Sequence, residues 1–402
     1  MRKPRICQIS PKLYHLLTKK KEEMGIGGAE LQARVIAVEL IRRGYETSTI
    51  TFEHDPDEIN DPSPLKLVPA IPRPNKEARF IRFFRNIARL HKTLREVNAD
   101  VYILNVAAYF LAPIVFFARR YNKKVIFWGA SDSNFDPRYK NYRLQTRKDG
   151  LLYAWGLRRC DGYVVQHRGQ QEMLLQNFGK HGQVIHNGLP TPARMSRFER
   201  MILWVGSIRR LRNPGAFIEL ARRIPDAHFI MVGGRPSHRD RFYEEVAEQA
   251  AEVRNLEFRG YCPFEEVEGL FERTSLFVNT SEVEGFPNTF LQAWSRGVPV
   301  FSTVHVNPDG LITQHRLGSV VNSVDDLAEK VSAYLAGEIS FVPAQIRGYF
   351  EENLTIGKTV DQLESLIRSL TSNNDEDSVS NPQELVPSGL EAPVSSALDR
   401  GV

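Results

Sequence analysis

The stretch Thr280-Ser281-Glu282-Val283-Glu284-Gly285-Phe286-Pro287-Asn288-Thr289-Phe290-Leu291-Gln292-Ala293-Trp294 gathers residue types suited to a charged ligand. An apolar run at 276–278 reads as a strand leading into it. Gly285 and Pro287 bend the chain, and from about Asn288 the apolar spacing becomes helical. Asn288 reads as the N-cap. A helix start facing a cleft offers free N–H groups and a positive dipole end to a phosphate. Glu284 would then stand beside that seat, where a group attached to the phosphate lies. On spacing alone, an ordinary strand-turn-helix connection with one exposed acid stays open as the other reading.

Residues 79–95 carry a second pattern. At about 100° per residue, Phe80, Phe83, Phe84, Ile87, Leu90 and Leu94 share one side of a helix and Arg82, Arg85, Arg89 and Lys92 the other. Either this is a sheet-packing helix with a solvated basic face, or that face, with Arg73 and Lys76, also meets acidic phospholipid or a lipid diphosphate. Each basic side chain near such a surface contributes about 1 kcal/mol. Asp55 and Asp57 have the look of a metal-binding acidic pair. They fall in a charged, Pro-containing segment after a strand, which reads as a solvated surface loop.

Short β-branched runs recur at 6–9, 47–52, 101–104, 125–128, 163–165 and 184–185, with helical stretches at 30–42, 80–97 and 170–178. Such alternation predicts an α/β architecture with a parallel sheet covered on both faces. After the turn-rich 187–192 it restarts, with strands expected at 201–205, 228–232, 256–259, 276–278, 298–301 and 319–321. A chain of 402 residues suits two such domains, expected at 1–190 and 191–370, with a disordered acidic tail at 371–402. Two doubly wound sheets that face each other enclose a cleft, and ligands bind at the carboxyl ends of their strands.

The net charge of +5 is unevenly spread: residues 1–190 carry +14, 191–370 carry −4 and the last 32 carry −5. The basic first half attracts anionic surfaces. Neither zinc-finger spacing nor an RNA-binding sheet motif is present, so nucleic acid is not expected as a partner. Cys7, Cys160 and Cys262 are odd in number and lack metal-ligand spacing, which fits reduced core thiols and a cytoplasmic setting. No apolar run approaches the ~20 residues of a membrane span.

The Glu284-Gly285-Phe286-Pro287-Asn288 segment resembles the signature of retaining glycosyltransferases of the GT-B fold, family four. Other matches follow in order. Gly27-Gly28-Ala29-Glu30 resembles the family's N-terminal Gly-Gly-x-Glu loop. Val184-Ile185-His186-Asn187-Gly188 resembles its interdomain Asn-Gly element. Val205-Gly206-Ser207, with Arg212-Asn213-Pro214 beyond, resembles its donor-phosphate loop.

The resemblance implies two facing Rossmann-like domains, the first for the acceptor and the second for a nucleoside diphosphate-sugar, with the last helix free to cross back to the first. It places Gly27 and Gly28 against the diphosphate and Arg212 as its counter-charge, where the family usually has Lys. It places Glu284 at the reacting centre as the catalytic residue, and Arg209, Phe286, Asn288, Thr289 and Gln292 around the donor. Gln292 stands where the family has a second Glu, assigned to the ribose hydroxyls, and Ser207 where an Arg is common. Trp128-Gly129-Ala130-Ser131-Asp132 replaces a region that often holds a His, and Asp132 is expected to meet a sugar or acceptor hydroxyl. No metal or other cofactor is implied, because the nucleotide-sugar is a substrate and Arg212 with helix-terminal N–H groups meets the leaving charge. The implied setting is surface-polysaccharide assembly on a lipid-linked acceptor, cytoplasmic or peripheral on the cytoplasmic face of a membrane. Two rivals share the architecture: a nucleotide-sugar epimerase, and a catalytically silent nucleotide-sugar or glycan-binding protein.

Overall fold

A computed structural model describes residues 2–18, 27–59, 63–72, 79–105, 107–136, 146–235 and 241–376, the side chains of Pro56, 79–84 and 373–376 excepted. The first domain runs β1 (Ile6–Ile9), α1 (Gly28–Arg42), β2 (Thr47–Phe52), β3 (Lys66–Ile71), α2 (Arg79–Val97) and β4 (Val101–Leu104). It continues through α3 (Leu111–Arg120), β5 (Lys124–Trp128), α4 (Arg147–Leu157), β6 (Gly162–Val165), α5 (Arg168–Phe178) and β7 (Gln183–Val184). Its sheet is parallel, in the order β3-β2-β1-β4-β5-β6-β7.

The second domain opens with β8 (Met201–Val205), α6 (Pro214–Arg223), β9 (His228–Val232), α7 (Phe242–Ala251), β10 (Leu256–Gly260), α8 (Phe264–Phe271) and β11 (Thr274–Asn279). Then come α9 (Asn288–Trp294), β12 (Val300–Thr303), α10 (Leu311–Gln314), β13 (Gly318–Val321), α11 (Val324–Ala336), α12 (Pro343–Asn353) and α13 (Ile356–Glu376). Its parallel order is β10-β9-β8-β11-β12-β13. Both sheets are doubly wound: the order reverses beside β1 in one and β8 in the other, and ligand crevices open at such switch points.

Strand β3 has no counterpart among the expected strands. Its sequence, Lys-Leu-Val-Pro-Ala-Ile, carries Pro69, which has no N–H for a central ladder. As an edge strand it tolerates that proline, beside a register shift at Thr51 and Phe52. Asp55 and Asp57 lie in or beside a short 3-10 turn (Pro56–Glu58), exposed, with the Asp57 N–H donating to Asp55 Oδ1 at 3.1 Å.

The helix α13 returns to the first domain. Arg43 at the end of α1 donates to Asp361 at 2.7 Å, to Glu364 at 2.9 Å and to the Gly357 carbonyl at 2.9 Å. The turn-rich segment between the domains is clamped by the start of the same helix. Leu189 bridges Thr355, and a Cβ on Gly188 would lie 2.3 Å from Thr359 Oγ1 and 2.7 Å from the Thr355 carbonyl. One apolar cluster therefore spans both domains, from Leu31 and Ile36 through Phe290 and Trp294 to Val360 and Leu363. Helix α13 also extends to Glu376, six residues into the segment expected as tail, and the rest of that segment lies outside the described residues.

Cys7, Cys160 and Cys262 are all free thiols. Burial pushes the Cys7 thiol up to about 12, so it stays protonated. Among the described residues, no helix is long and apolar enough to cross a membrane.

Candidate active site

Two turns at the carboxyl ends of β8 and β11 build the floor of the interdomain cleft. Strand β11 ends at Asn279, and this residue and the Thr280 and Ser281 that follow are buried, where polar groups are costly without partners. Asn279 Oδ1 accepts from the Ser281 N–H at 2.9 Å, and Thr280 finds its partners on β8 and in the turn after it. Thr280 Oγ1 donates to the Arg212 carbonyl at 2.8 Å and accepts from Trp204 Nε1 at 2.9 Å. The Glu282 N–H donates to the Leu211 carbonyl at 2.9 Å. These bonds place Arg212 against Glu284, and the two side chains form an ion pair. Ser281 Oγ donates to Glu284 Oε1 at 3.1 Å.

Burial, with repulsion from Arg209, pushes the Arg212 guanidinium down to about 10, which leaves it a cation at neutral pH. Arg209 acts on the cleft through that field and is not among its lining residues.

The first domain reaches the same turn through amides. Gln166 Oε1 accepts from the Phe286 N–H at 2.8 Å, and Gln166 Nε2 donates to Asn187 Oδ1 at 2.9 Å. Asn187 Nδ2 donates to the Phe286 carbonyl at 2.8 Å and to Asn288 Oδ1 at 3.1 Å. Gln32 Nε2 donates to Asn288 Oδ1 at 2.9 Å and to the Gly188 carbonyl at 3.0 Å. Asn288 Nδ2 donates to the Gly28 carbonyl at 2.7 Å. All four amide side chains are buried, so this network fixes the two domains against each other.

Gly285 is required by that closeness. A Cβ there would lie 2.2 Å from Gln166 Oε1 and 2.9 Å from Gln170 Nε2.

Several expected site residues meet at the cleft. Gly27, Gly28, Arg212, Glu284, Phe286, Asn288, Thr289 and Gln292 all line it, together with Gly206, Ser207, Gly233 and Gly234 from the ends of β8 and β9. The place of Asn288 on the helix differs from the sequence reading. Asn288 is the first helical residue, with Pro287 at the N-cap, and makes no capping bond because its amide spans to Gly28, Gln32 and Asn187. The Phe286 ring is buried and stacked on His186 at 4.9 Å.

Asp132 does not line the cleft. Its Oδ1 takes His167 Nε2 at 2.8 Å and Gln170 Nε2 at 3.0 Å, while its N–H donates to the Glu284 carbonyl at 3.3 Å. It holds the turn that carries Glu284.

Gln292 is held by a neighbour the sequence did not suggest. Its Nε2 donates to Glu268 Oε1 at 2.5 Å, and Glu268 Oε2 accepts from Arg296 at 2.6 Å. A carboxylate only accepts, so the amide is fixed with nitrogen toward Glu268. Gln32, Gln166, His167, Gln170 and Glu268 carry no spacing signature. Of these, Gln32 and Gln166 meet the Asn187-Gly188 element that the sequence did single out.

On α2, Arg89 is ion-paired with Glu53, and Lys92 lies 3.8 Å from Glu96. Arg85 is exposed, and the Arg82 side chain lies outside the described ones.

The family described as Glycosyltransferase Family 4 matches residues 26–192, and the family described as Glycosyl transferases group 1 matches residues 199–337. No curated protein matches the chain. Among solved structures, sucrose-phosphate synthase from Thermosynechococcus elongatus is similar, at 16% identity and TM-score 0.72, over 92% of this chain and 100% of that one. Anabaena HepE in complex with UDP-glucose is similar at 13% identity and TM-score 0.72, over 91% and 100%. The lipopolysaccharide outer core galactosyltransferase WaaB is similar at 15% identity and TM-score 0.64, over 91% and 99%. At such identities the likeness is one of fold: two Rossmann-like domains in the GT-B arrangement.

Proposed function

Because the chain belongs to the glycosyltransferases of group 1 and family 4, we propose that it moves a sugar from a nucleoside diphosphate-sugar to an acceptor hydroxyl with retention at the anomeric carbon. The observation that carries this reading is the Arg212–Glu284 pair on the floor of the interdomain cleft. Arg212 supplies a permanent cation where a leaving diphosphate gathers charge, and a guanidinium meets phosphate oxygens in bidentate fashion. Glu284 supplies a carboxylate in contact with that guanidinium, beside the place where a sugar attached to the diphosphate would lie. Gly206, Gly233 and Gly234 keep that part of the floor clear of side chains, with the Gly206 N–H donating to the Val232 carbonyl and the Gly233 N–H to the Gly260 carbonyl.

In the reaction the bond between the anomeric carbon and the diphosphate oxygen breaks. A bond from that carbon to the acceptor oxygen forms on the same face, and the acceptor proton leaves with the diphosphate. Arg212 provides the counter-charge, so the reading needs no metal. HepE binding UDP-glucose in the same fold supports a nucleotide-sugar donor, and WaaB, which acts in a lipopolysaccharide core, supports a glycan acceptor on a lipid carrier. Such an acceptor puts the enzyme on the cytoplasmic face of a membrane.

The test is a thermal-shift panel of nucleoside diphosphate-sugars, followed by proton NMR of the product with the donor that binds. A donor at about 100 times its dissociation constant adds about 2.7 kcal/mol of stability. Retention gives a product with the donor's own anomeric configuration. Inversion, or stabilisation by none of the donors, removes the reading.

A further inference from the structure

We propose that the paired helices α3 and α4 form a docking surface for an anionic lipid bilayer. On α4, Lys148, Leu151, Trp155 and Arg158 recur at three- and four-residue spacing and all are exposed, Leu151 by 72% and Trp155 by 38%. Apolar side chains thus occupy the middle of the outward stripe and basic ones both ends. Arg159 flanks the stripe, its guanidinium 4.4 Å above the Trp155 ring. Helix α3 packs alongside, with Gly156 of α4 against Leu111 and Ala112, and presents Phe116, 66% exposed.

Isolated exposed apolar residues need no explanation, but three large ones on two packed helices with a basic rim do. A bilayer interface satisfies both halves. Leu, Phe and Trp sink into the headgroup-acyl boundary while Lys and Arg reach to phosphate.

Charge complementarity selects the occupant. Residues 111–120 and 147–159 hold six Lys and Arg against a single acid, Asp149. Its carboxylate accepts from the Thr146 N–H at 3.0 Å in the capping box of α4. A second copy of this chain meeting the patch face to face would bring two basic rims together, so an acidic surface is the better partner. On helix α2, Arg89 and Lys92 face Glu53 and Glu96, which offset part of its basic charge. The surface argument is independent of the proposed reaction, although a lipid-linked acceptor gives the docking a purpose.

The test is flotation of the full chain with vesicles of phosphatidylcholine, with or without phosphatidylglycerol, while tryptophan emission is followed. Trp128, Trp204 and Trp294 are buried, so a shift reports Trp155. Flotation and a blue shift are expected only with phosphatidylglycerol. Leu151→Glu with Phe116→Glu abolishes both. Lys148→Glu with Arg158→Glu weakens binding by at least about 25-fold, from about fivefold per basic side chain. Arg85→Glu with Lys92→Glu leaves it unchanged.

All the substituted side chains are exposed, so melting temperatures should hold, and Leu151→Ser with Phe116→Ser replaces any variant that melts early. Three results overturn the proposal. Either apolar pair floats as wild type does, or bound protein keeps a water-exposed Trp155 emission, or the emission shifts with protein concentration in the absence of lipid, which means a second copy covers the patch. Donor binding by calorimetry on the same preparations shows separately whether the proposed reaction stands.

Discussion

Arg212 and Glu284 are ion-paired, and the carboxylate oxygen that meets the guanidinium also receives the Ser281 hydroxyl at 3.1 Å. In the proposed reaction the donor diphosphate and this carboxylate share one cation. Donor binding then loosens Glu284 from Arg212 and leaves it, steered by Ser281, to face the sugar.

Glu284→Gln separates those roles. Turnover should fall by about 100-fold or more, the usual cost of one electrostatic group at a reacting centre. Free nucleoside diphosphate should bind as tightly as to wild type or several-fold tighter, because the guanidinium no longer has a carboxylate to leave. Initial rates and calorimetry decide it, and weakened diphosphate binding would mean that the pair does not compete with the ligand.

Arg212→Ala should lose about 1.5–3 kcal/mol of diphosphate affinity, the value of a charged hydrogen bond, with little change for the nucleoside. The guanidinium is pushed down only to about 10, so this affinity should be flat from pH 6 to pH 8 as far as Arg212 is concerned. Equal losses for nucleoside and diphosphate in titration calorimetry would assign Arg212 a structural task.

The carboxylate of Asp309 accepts from His186 at 2.9 Å and from the Arg168 N–H at 2.8 Å, tying the second domain to the start of α5. Burial opposes its ionisation, but the His186 bond and the backbone N–H outweigh it and hold its acidity below the ordinary carboxylate range. A depressed pKa contributes stability that is present above the unfolded value, about 3.9, and is lost as pH falls through the folded one. Asp309→Asn should therefore lower the melting temperature at pH 7 and flatten its decline below pH 4. Parallel acid-melting curves for the two proteins would show that Asp309 contributes nothing through its charge.

The amide network predicts non-additive costs. Gln166→Ala or Asn187→Ala leaves buried partners unsatisfied, at about 1–3 kcal/mol each. The double variant should cost clearly less than the sum, since both side chains hold the Phe286 backbone. Denaturant unfolding of the four proteins in the cycle measures the coupling, and simple additivity would mean that the two act apart.

The sheets were legible because each buried parallel strand is a short β-branched run, as at Ile6–Ile9 and Met201–Val205. Strand β3 was hidden by Pro69, whose cost vanishes only at an edge, and edge position is a property of the whole sheet. The cleft residues between Glu284 and Gln292 were legible as a local motif. What holds them was not, because Gln166, Asn187 and Gln32 meet Phe286 and Asn288 only when the two domains close. Nor does any spacing announce that Glu268 will orient Gln292, since that contact joins separate helices.

Arg43 offers the sharpest test of how the chain returns on itself. Its guanidinium meets Glu39 on its own helix at 2.8 Å, Asp361 at 2.7 Å and Glu364 at 2.9 Å on α13, and the Gly357 carbonyl at 2.9 Å. The Arg43 side chain is 16% exposed and that of Glu364 12%, so neither charge is well solvated without the other. Arg43→Ala should cost about 2–3 kcal/mol, toward the lower end for loss of one partner in a buried pair because Asp361 is exposed and stays hydrated. Lysine keeps the charge but cannot span three acceptors in a plane, so Arg43→Lys should recover less than half of the loss. Because α13 also packs Val360, Leu363 and Ile367 into the shared core, the helix should stay docked in both variants. Truncation after Glu376 should leave the melting temperature unchanged, whereas truncation after Thr355 should unfold the protein. Full stability of the Arg43→Ala variant would show that the apolar face of α13 alone secures the return.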